Sequence, residues 1–507
     1  MSVPERFAAV VAGGGPAGLF AAITLAEGLR ARRARIDAGT GAAMAAAPAE
    51  AHPRGDGAAG DGGTGAAPAG PPPRVLVLER RERPARKLLL SGSGQCNLTH
   101  AGPMEDFLPR YGGGGKPGAA GRFLKPALYA LANEDLLDWF RARGLGFEAE
   151  AGGKVFPATR RASSVLDLLL SECSRLGIVV ATGRRLLSAE RVGEGQSGGP
   201  GADGEGRAAA DAAGAMRGPE RAVAAGGFLL RAARTGPEGS GAEESYAAPL
   251  LLLATGGASY PATGSTGDGY ALAKALGHSV VAPRPALAAV RAKGFRLEPL
   301  AGLSFRGAGL ALRRGGKRVL AGEGDLLITH EGLSGPLILD SSRGMEPGDT
   351  LELRFADVGL EEFRERFDRL LAKEPRRLAR TVLAEAGLPK AMAELFCSLA
   401  GLAPESAAAD LRRESREALC RLACECPVEV GSLSGWDEAM ATAGGVDLAE
   451  VSPKTMESRV APGLFFAGEV LDFDGDSGGY NLQAAFSTGA LAGRAMLAAL
   501  AGLAGGA

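Results

Sequence analysis

The chain opens with a glycine pattern of the form G-x-G-x-x-G, built from Gly13, Gly15 and Gly18 with Pro16 and Ala17 between them. This spacing suits a pyrophosphate, because each glycine has a separate task. The first allows a tight turn, the second lets the backbone approach the phosphates, and the third lets a helix pack closely on a strand. The N–H groups and positive dipole end of the following helix would stabilise the phosphate charge.

An acidic residue for the ribose hydroxyls is expected about 20 residues after the glycines. Glu79 ends the apolar run 74–79 and lies 61 positions after Gly18, but residues 31–73 account for 43 of those positions. Without them the separation is 18, so we interpret the nucleotide fingerprint as intact but interrupted. The alternative is that Glu79 only begins a charged surface run, 79–83.

Two further segments contain small and polar residues that suit close approach to a cofactor. The first segment contributes Lys87, Ser91, Gly92, Gly94 and Asn97. The second contributes Thr255, Gly256, Gly257 and Asp268. Asp268 either contacts the cofactor or caps the helix that it opens.

The elements that must position these residues are those of an α/β fold with a parallel sheet. Apolar runs typical of buried strands occur at 7–12, 74–79, 250–254 and 464–467. An Ala-rich helix is predicted after the first run and after the last. Weaker strands near 178–182, 185–191 and 227–233 are predicted to form an antiparallel meander.

This pattern predicts a nucleotide-binding domain in two parts, residues 1–279 and 436–507. An insert domain, 280–435, separates them. Short strands with Gly turns indicate a β-barrel-like unit over 280–356, and amphipathic patterns indicate a helical region over 357–427.

Four blocks of the sequence resemble the BaiN/YhiN-like bacterial flavoproteins, commonly labelled NAD(P)/FAD-dependent oxidoreductases or the aminoacetone oxidase family. The blocks are KLLLSGSGQCN at 87–97, ATGGASYPATGSTGDGYALAKALGH at 254–278, GDLLITHEGLSGPLIL at 324–339 and GGVDLAEVSPKTMESRVAPGLFFAGEVLDFDGDSGGYNLQAAFSTG at 444–489. The resemblance implies FAD as the cofactor, a Rossmann-like FAD-binding domain split by an insert domain, and a redox activity.

The last block would form a second wall for the flavin. A strand there ends at Gly468 and Glu469, where a carboxylate can accept hydrogen bonds from ribityl hydroxyls. Gly478 and Gly479 precede a helix that starts near Tyr480. Free N–H groups at this helix start would stabilise the negative charge of a reduced flavin.

Two side chains of the same helix, Asn481 and Gln483, are candidates for the pyrimidine edge of the flavin ring. The alternative for both is helix capping and packing.

Two residues are candidate catalysts. Cys96 lies in the segment that the resemblance places against the flavin, so its thiol could protonate a reduced C=C bond or act as a nucleophile. A small buried residue is the alternative. We predict that Cys96→Ala keeps FAD but loses turnover, and unchanged turnover would favour the alternative. His330 follows a strand beside a Gly turn and could be an acid or base, or could satisfy the loop.

Composition restricts the class of protein. Lys+Arg is 57 and Asp+Glu is 58, so no global charge directs the chain to nucleic acid. No apolar stretch has spanning length and the six cysteines are scattered, so we expect a soluble cytoplasmic protein without disulfides, membrane contact or a stable protein partner. Cys420, Cys424 and Cys426 match no metal-binding spacing, so no metal is predicted.

Two segments rich in Ala and Gly, 31–73 and 192–224, are predicted as disordered loops. They cannot bury enough apolar area to offset the entropy of ordering.

The leading hypothesis is an FAD enzyme that passes hydride from NAD(P)H to a C=C bond. Family members that resemble the chain reduce unsaturated steroid-type acids, or uridine in ribosomal RNA, and the RNA acceptor is slightly favoured here. Only one G-x-G-x-x-G follows a predicted buried strand and opens a predicted helix, so NAD(P)H would bind transiently over the flavin and not in a nucleotide-binding fold of its own. The alternatives are an aminoacetone-type amine oxidase using O2 and a non-catalytic flavin-binding module.

Overall fold

The apolar runs pair into one five-stranded parallel sheet. In spatial order its strands are Leu464–Phe466, Leu250–Leu253, Ala9–Ala12, Val75–Leu78 and Val179–Ala181. The first four are buried along their whole length, as is typical of parallel strands covered on both faces. The structure, a computed structural model, describes residues 4–45, 73–192, 226–235 and 241–505.

One prediction is wrong at the edge strand Val179–Ala181. Residues 178–182 are predicted in an antiparallel meander, but this strand instead pairs in parallel with Val75–Leu78. The meander itself forms from Arg184–Val192, Gly227–Arg234 and Glu243–Ala248, with the short strand Glu5–Arg6 added in parallel.

The helix after the glycine fingerprint is longer than predicted and runs over Pro16–Ala45. The predicted loop 31–73 is therefore wrong for residues 31–45, because the Ala and Arg residues of this segment have high helix propensity. The rest of that prediction, over 46–72, lies outside the described residues, as does the second predicted loop from residue 193.

Shorter elements complete the nucleotide-binding unit. Its other helices are Ala119–Ala130, Asn133–Arg141, Ala162–Arg175 and Asp268–Ala275. Small antiparallel sheets form from Thr99–His100 with Lys154–Pro157 and Phe147–Ala149, and from Tyr111–Gly113 with Phe473–Gly475.

The C-terminal helix Tyr480–Gly505 packs on the helix that follows the fingerprint. A Cβ on Gly489 would lie 2.4 Å from the carbonyl oxygen of Ala17, so the two helices touch where only glycine fits. By length and composition its segment Tyr480–Leu503 could cross a membrane, but 50% of its apolar window is buried inside the protein. This burial fits a core helix.

The insert contains a closed six-stranded antiparallel barrel. In spatial order its strands are Val290–Lys293, Gly332–Ser334, Lys317–Ile328, Ser304–Arg314, Thr350–Arg354 and Cys426–Leu433. The barrel therefore extends past the predicted β-unit 280–356, because its last strand follows the helical region in sequence.

Four helices lie between the last two barrel strands in sequence. They are Leu360–Lys373, Ala379–Glu385, Lys390–Leu399 and Arg413–Cys424. Their apolar faces share one core with the barrel, and the buried Cys420 and Cys424 belong to it as free thiols.

A two-stranded ribbon joins the insert to the nucleotide-binding unit. Its strands are Val280–Ala286 and Ala441–Val446, which pair antiparallel. The short helix Pro336–Ser341 of the insert contacts this connection through Leu339, which packs with Leu287 and Ala441.

Candidate functional site

A cavity of about 710 Å³ lies at the carboxyl ends of the parallel strands. Gly13, Glu79, Ala254 and Ala467, each directly beyond a different strand, line it. From there the cavity extends to the insert helix that begins at Pro336. Open α/β sheets bind their ligands at this edge.

Most of the predicted cofactor residues line this cavity. They are Gly13, Gly15, Pro16, Ala17, Glu79, Lys87, Ser91, Gly92, Asn97, Thr255, Gly256, Asp268, Gly468, Glu469, Gly478, Gly479 and Asn481. The cavity lining does not include Gly18, Gly94, Gly257, Tyr480 and Gln483.

The three fingerprint glycines occupy different environments. Gly13 has a φ of +111°, and a Cβ there would lie 2.3 Å from the carbonyl oxygen of Ala254. A Cβ on Gly18 would lie 2.0 Å from the carbonyl oxygen of Gly13, which accounts for close packing of the helix on the strand. A Cβ on Gly15 would meet nothing within 4 Å, because this residue faces the cavity.

Glu79 is held at the end of its strand by two backbone donors. Its Oε2 accepts from the N–H of Gly14 at 2.9 Å, and its Oε1 accepts from the N–H of Arg81 at 2.8 Å. Burial raises the pKa of Glu79, while the two N–H donors oppose that shift. The carboxylate is thus fixed directly beside the phosphate-binding turn, where ribose hydroxyls would lie.

Asp268 joins three segments at the same end of the cavity. It is the first residue of its helix, so Gly267 and not Asp268 is the N-cap. Its carboxylate accepts from Arg185 Nε at 2.7 Å, Arg80 Nη1 at 3.0 Å and Thr266 Oγ1 at 2.8 Å. Burial opposes its charge, but these donors prevail and lower the pKa of Asp268. Sequence reasoning missed both arginines.

Glu469 meets Lys87 across the middle of the cavity. Lys87 Nζ lies 2.9 Å from Glu469 Oε1 and 2.8 Å from Oε2, although the two residues are 382 positions apart. The N–H of Thr442 donates to Glu469 Oε1 at 2.8 Å, and Ser259 Oγ donates to the same atom at 3.3 Å. Sequence reasoning predicted the ion-pair partners separately, and missed Thr442 and Ser259.

Gly478 and Gly479 bring the start of the C-terminal helix to the cavity. Their φ values are +115° and +99°, and a Cβ on Gly479 would lie 2.5 Å from the carbonyl carbon of Thr99. Asn481 lines the cavity, yet its amide binds the backbone of Gly475 in both directions at 2.8 Å. These bonds fasten the helix start to the strand Phe473–Gly475 and favour the packing alternative for this side chain.

Gln483 is fully buried behind the helix start. Its oxygen accepts from Thr99 Oγ1 at 2.6 Å, and its nitrogen donates to the carbonyl of Leu131 and to Ser487 Oγ, both at 3.0 Å. These contacts use the amide for packing, so the structure places Gln483 away from the predicted flavin edge.

Neither predicted catalyst lies in the cavity lining. Cys96 is fully buried, and burial raises the pKa of its thiol to about 12, opposed in part by the hydrogen bond with Ser91. The side chain of His330 is 86% exposed on the barrel surface, where its Nδ1 lies 3.8 Å from Glu298 Oε1. This placement favours the packing alternative for Cys96 and the loop alternative for His330.

The placement of Cys96 reverses the expected result of its substitution. Cys96→Ala should retain bound flavin and wild-type turnover, because a buried neutral thiol is neither a ready acid nor a nucleophile at neutral pH. Removing one methyl-sized group should lower the free energy of unfolding by about 1 kcal/mol. Steady-state kinetics and urea denaturation check both parts, and a large loss of turnover in a folded, flavin-loaded variant would restore the catalytic role.

Backbone strain is concentrated at this cavity. Among the described residues, seven that are not glycine have a positive φ. Four of these line the cavity, namely Ala85, Ser93, Tyr260 and Leu287. Such conformations persist where surrounding structure enforces them, and they cluster at functional sites.

The cavity wall suits a polar, elongated nucleotide cofactor such as FAD. Asn97 Oδ1 and Thr255 Oγ1 are buried in the wall and have no hydrogen-bond partner among the described residues. Buried polar atoms normally have partners, so these two are available to a ligand. Together with the open face of Gly15 and the fixed carboxylates of Glu79 and Glu469, they match a dinucleotide.

Comparison with known proteins identifies relatives that align with more than four fifths of the chain. The family described as "HI0933-like protein Rossmann domain" matches residues 54–212 and 225–495. The 3-dehydro-bile acid delta(4,6)-reductase of Clostridium scindens is 31% identical over 430 residues, covering 83% of this chain and 92% of that protein. The ribosomal RNA dihydrouridine synthase of Escherichia coli is 29% identical over 426 residues, covering 82% and 90%.

Among solved structures, the open conformation of a flavocytochrome c3 fumarate reductase aligns with a TM-score of 0.40 and 14% identity. The alignment covers 98% of this chain and 79% of that chain.

Proposed function

The chain belongs to the HI0933-like Rossmann family, and from that premise we propose that it is an FAD-dependent reductase of an activated C=C bond. Membership makes it a flavin-dependent oxidoreductase with a Rossmann-like FAD-binding fold. The observation that carries the finer proposal is the cavity itself. It runs from the nucleotide-binding turn at Gly13 to the insert residues Pro336 and Leu339 without interruption, so a cofactor and a second molecule can meet inside it.

In this proposal each part of the cavity holds one part of FAD. The turn at Gly13 and Gly15 binds the pyrophosphate, Glu79 binds the adenosine ribose, and Glu469 orients the ribityl chain. The helix start at Gly479 faces the flavin ring with its N–H groups. When bound, the flavin supplies hydride transfer; the protein binds, orients and shields it.

NADH or NADPH is the proposed electron donor. Among the described residues one G-x-G-x-x-G follows a strand of the parallel sheet and opens a helix, and FAD would occupy it, so NADH or NADPH would bind only transiently beside the flavin. Arg86 and Lys154 line the cavity. Their cationic side chains support transient binding of a phosphate-bearing donor.

A small acceptor with an apolar body is the first candidate. Leu90 and Met440 are among the most exposed large apolar side chains of the described chain, at 51% and 50%, and both line the cavity. Leu287 and Leu339 extend this apolar wall. Such surface suits a hydrophobic substrate, and the bile-acid reductase relative acts on one by name.

Uridine in ribosomal RNA is the second candidate acceptor. Two cations on the cavity wall, Arg86 and Lys154, could bind RNA phosphates. The Escherichia coli relative is named for that reaction. A cytoplasmic location, which either acceptor requires in a bacterium, is part of the proposal.

Anaerobic flavin bleaching tests the proposal. The purified protein should absorb as a flavoprotein, and NADH or NADPH should bleach it. A 3-oxo-Δ4,6 steroid acid, or ribosomal RNA from a deletion strain, should then restore the oxidised spectrum, and the acceptor that does so identifies the substrate class. Bleaching by aminoacetone with peroxide release in air would instead establish an amine oxidase, and absence of flavin would refute the whole scheme.

A further inference from the structure

A short insert helix reaches across to the nucleotide-binding unit through one side chain. Asp340, in the helix Pro336–Ser341, accepts from the N–H of Ser477 through Oδ1 at 2.6 Å. Its other oxygen, Oδ2, accepts from Ser477 Oγ at 3.2 Å. Both atoms of the serine that can donate are therefore directed at one carboxyl group, from a different structural unit.

Ser477 lies in the cavity wall where these two units meet. It lines the cavity between Asp476 and Gly478, directly before the C-terminal helix. On the opposite side the same insert helix contributes Pro336 and Leu339 to the lining, while Asp340 itself lies behind the wall. The serine hydroxyl is thus a proton-carrying group on the wall, backed by a carboxyl group that the cavity does not reach.

The charges around Asp340 leave its carboxyl group without a direct cationic partner among the described residues. Arg343 Nε binds Asp474 at 2.9 Å, and its Nη2 binds Asp476 at 2.8 Å. Arg110 also pairs with Asp476, at 3.7 Å. The nearest cations are therefore occupied by other carboxylates.

Burial raises the pKa of Asp340 to about 6. The charge of Asp476 adds to this shift, whereas Ser477 and the charge of Arg343 oppose it. Burial raises the pKa of Tyr480, and the charge of Asp340 adds to that shift. The Asp340 carboxyl group therefore carries its proton below about pH 6 and loses it as the pH rises through that value.

We propose that the Ser477 hydroxyl protonates the acceptor and that Asp340 is the positioning residue that replaces its proton. This inference rests on the proposed function, because it requires a C=C bond as the acceptor. The N–H of Ser477 occupies Oδ1, so a proton on Asp340 would sit on Oδ2. In that protonated form the hydrogen bond between Oδ2 and Ser477 Oγ reverses, and Asp340 becomes its donor. The serine then directs its own O–H into the cavity.

The reaction balances as a two-electron reduction. A hydride with its electron pair comes from the reduced cofactor and forms a C–H bond at one carbon, while the π pair of the C=C bond moves to the other carbon. That carbon takes the proton of the Ser477 hydroxyl. The serine oxygen regains a proton from Asp340, and water reprotonates the carboxylate of Asp340 before the next turnover.

Other groups of the wall are less suited to this task. Lys87 is committed to Glu469, and Asp476 is committed to two arginines. Cys96 and His330 do not line the cavity.

Matched variants test the proton path in the flavin-loaded protein. Ser477→Ala removes the hydroxyl but keeps the backbone bond to Asp340, and Asp340→Asn keeps the acceptor for that bond but removes the acid. Ser477→Thr restores a hydroxyl. Asp325→Asn is the control, because Asp325 is an exposed carboxylate on the barrel.

The flavin is reduced with dithionite and reoxidised anaerobically by a 3-oxo-Δ4,6 steroid acid or uridine-containing ribosomal RNA. Ser477→Ala and Asp340→Asn should slow reoxidation by roughly 10²- to 10⁴-fold, while Ser477→Thr and Asp325→Asn stay within a few-fold of wild type. The wild-type rate should fall as pH rises above about 6, and the alanine variant should lose that dependence.

An infrared titration gives a readout that is independent of turnover. The protein should show a protonated-carboxyl band that titrates near pH 6 and is missing from Asp340→Asn. Reoxidation of both variants at the wild-type rate, or persistence of the band in Asp340→Asn, would overturn the inference. If neither acceptor reoxidises the wild-type flavin, the proposed function fails instead, and the proton path fails with it.

Discussion

Gly15→Ala should yield a folded protein that binds FAD weakly. The added Cβ meets no protein atom within 4 Å, so the free energy of unfolding of the cofactor-free protein should change by less than about 1 kcal/mol. The same methyl group occupies the space into which the pyrophosphate must fit. Overpacking of this kind costs about 1–3 kcal/mol, which corresponds to roughly 5- to 150-fold weaker FAD binding.

Gly18→Ala is the matched control for this prediction. Its Cβ would lie 2.0 Å from the carbonyl oxygen of Gly13, so it should destabilise the cofactor-free protein itself. Fluorescence titration with FAD and urea denaturation of the cofactor-free proteins separate the two effects. Wild-type FAD affinity in Gly15→Ala would show that the pyrophosphate does not approach this turn.

Breaking the ion pair between Lys87 and Glu469 should have the second large effect. Lys87→Met removes both bonds to the carboxylate, and Glu469→Gln leaves the ammonium group beside a neutral amide. Hydrogen bonds to charged groups contribute about 1.5–3 kcal/mol, and each single variant should lose about that much stability. The double variant should lose less than the sum, because neither charge is then left unpaired.

Urea denaturation of the four proteins, with and without FAD, measures this coupling. Lys293→Met is the control, since it breaks an ion pair with Glu429 on the barrel surface, whose side chains are 72% and 45% exposed, and it should cost less. Strict additivity of the two substitutions would mean that the ion pair does not stabilise the fold.

Local patterns explain what the sequence predicts well. The fingerprint around Gly13 depends on neighbours within a few residues, so strand, turn and helix are all readable from one short stretch. Glu79 was found because a composition change marks the interruption before it. The parallel sheet and a barrel-like unit follow from the same periodicity, and both are confirmed.

Contacts between segments that are far apart in sequence explain which features of the site the sequence does not predict. The Lys87–Glu469 pair and the Asp340–Ser477 pair each join segments more than 100 residues apart. No local sequence pattern predicts such a contact. The burial of Cys96 is set by the packing around its turn and not by its neighbours in sequence. Asn481 and Gln483 are two residues apart on a helix, and side chains at that spacing do not share a face of the helix.

The order of the strands has a consequence for how the enzyme is made. The phosphate-binding turn leaves the ribosome first, but Glu469, Gly479 and the edge strand Leu464–Phe466 leave last. At about 5–20 residues per second, the nascent chain carries half a flavin site for roughly 20–90 s. Cofactor binding therefore requires synthesis to have passed Gly479, and a chain ended by a premature stop codon before residue 464 would lack Glu469, Gly479 and the edge strand.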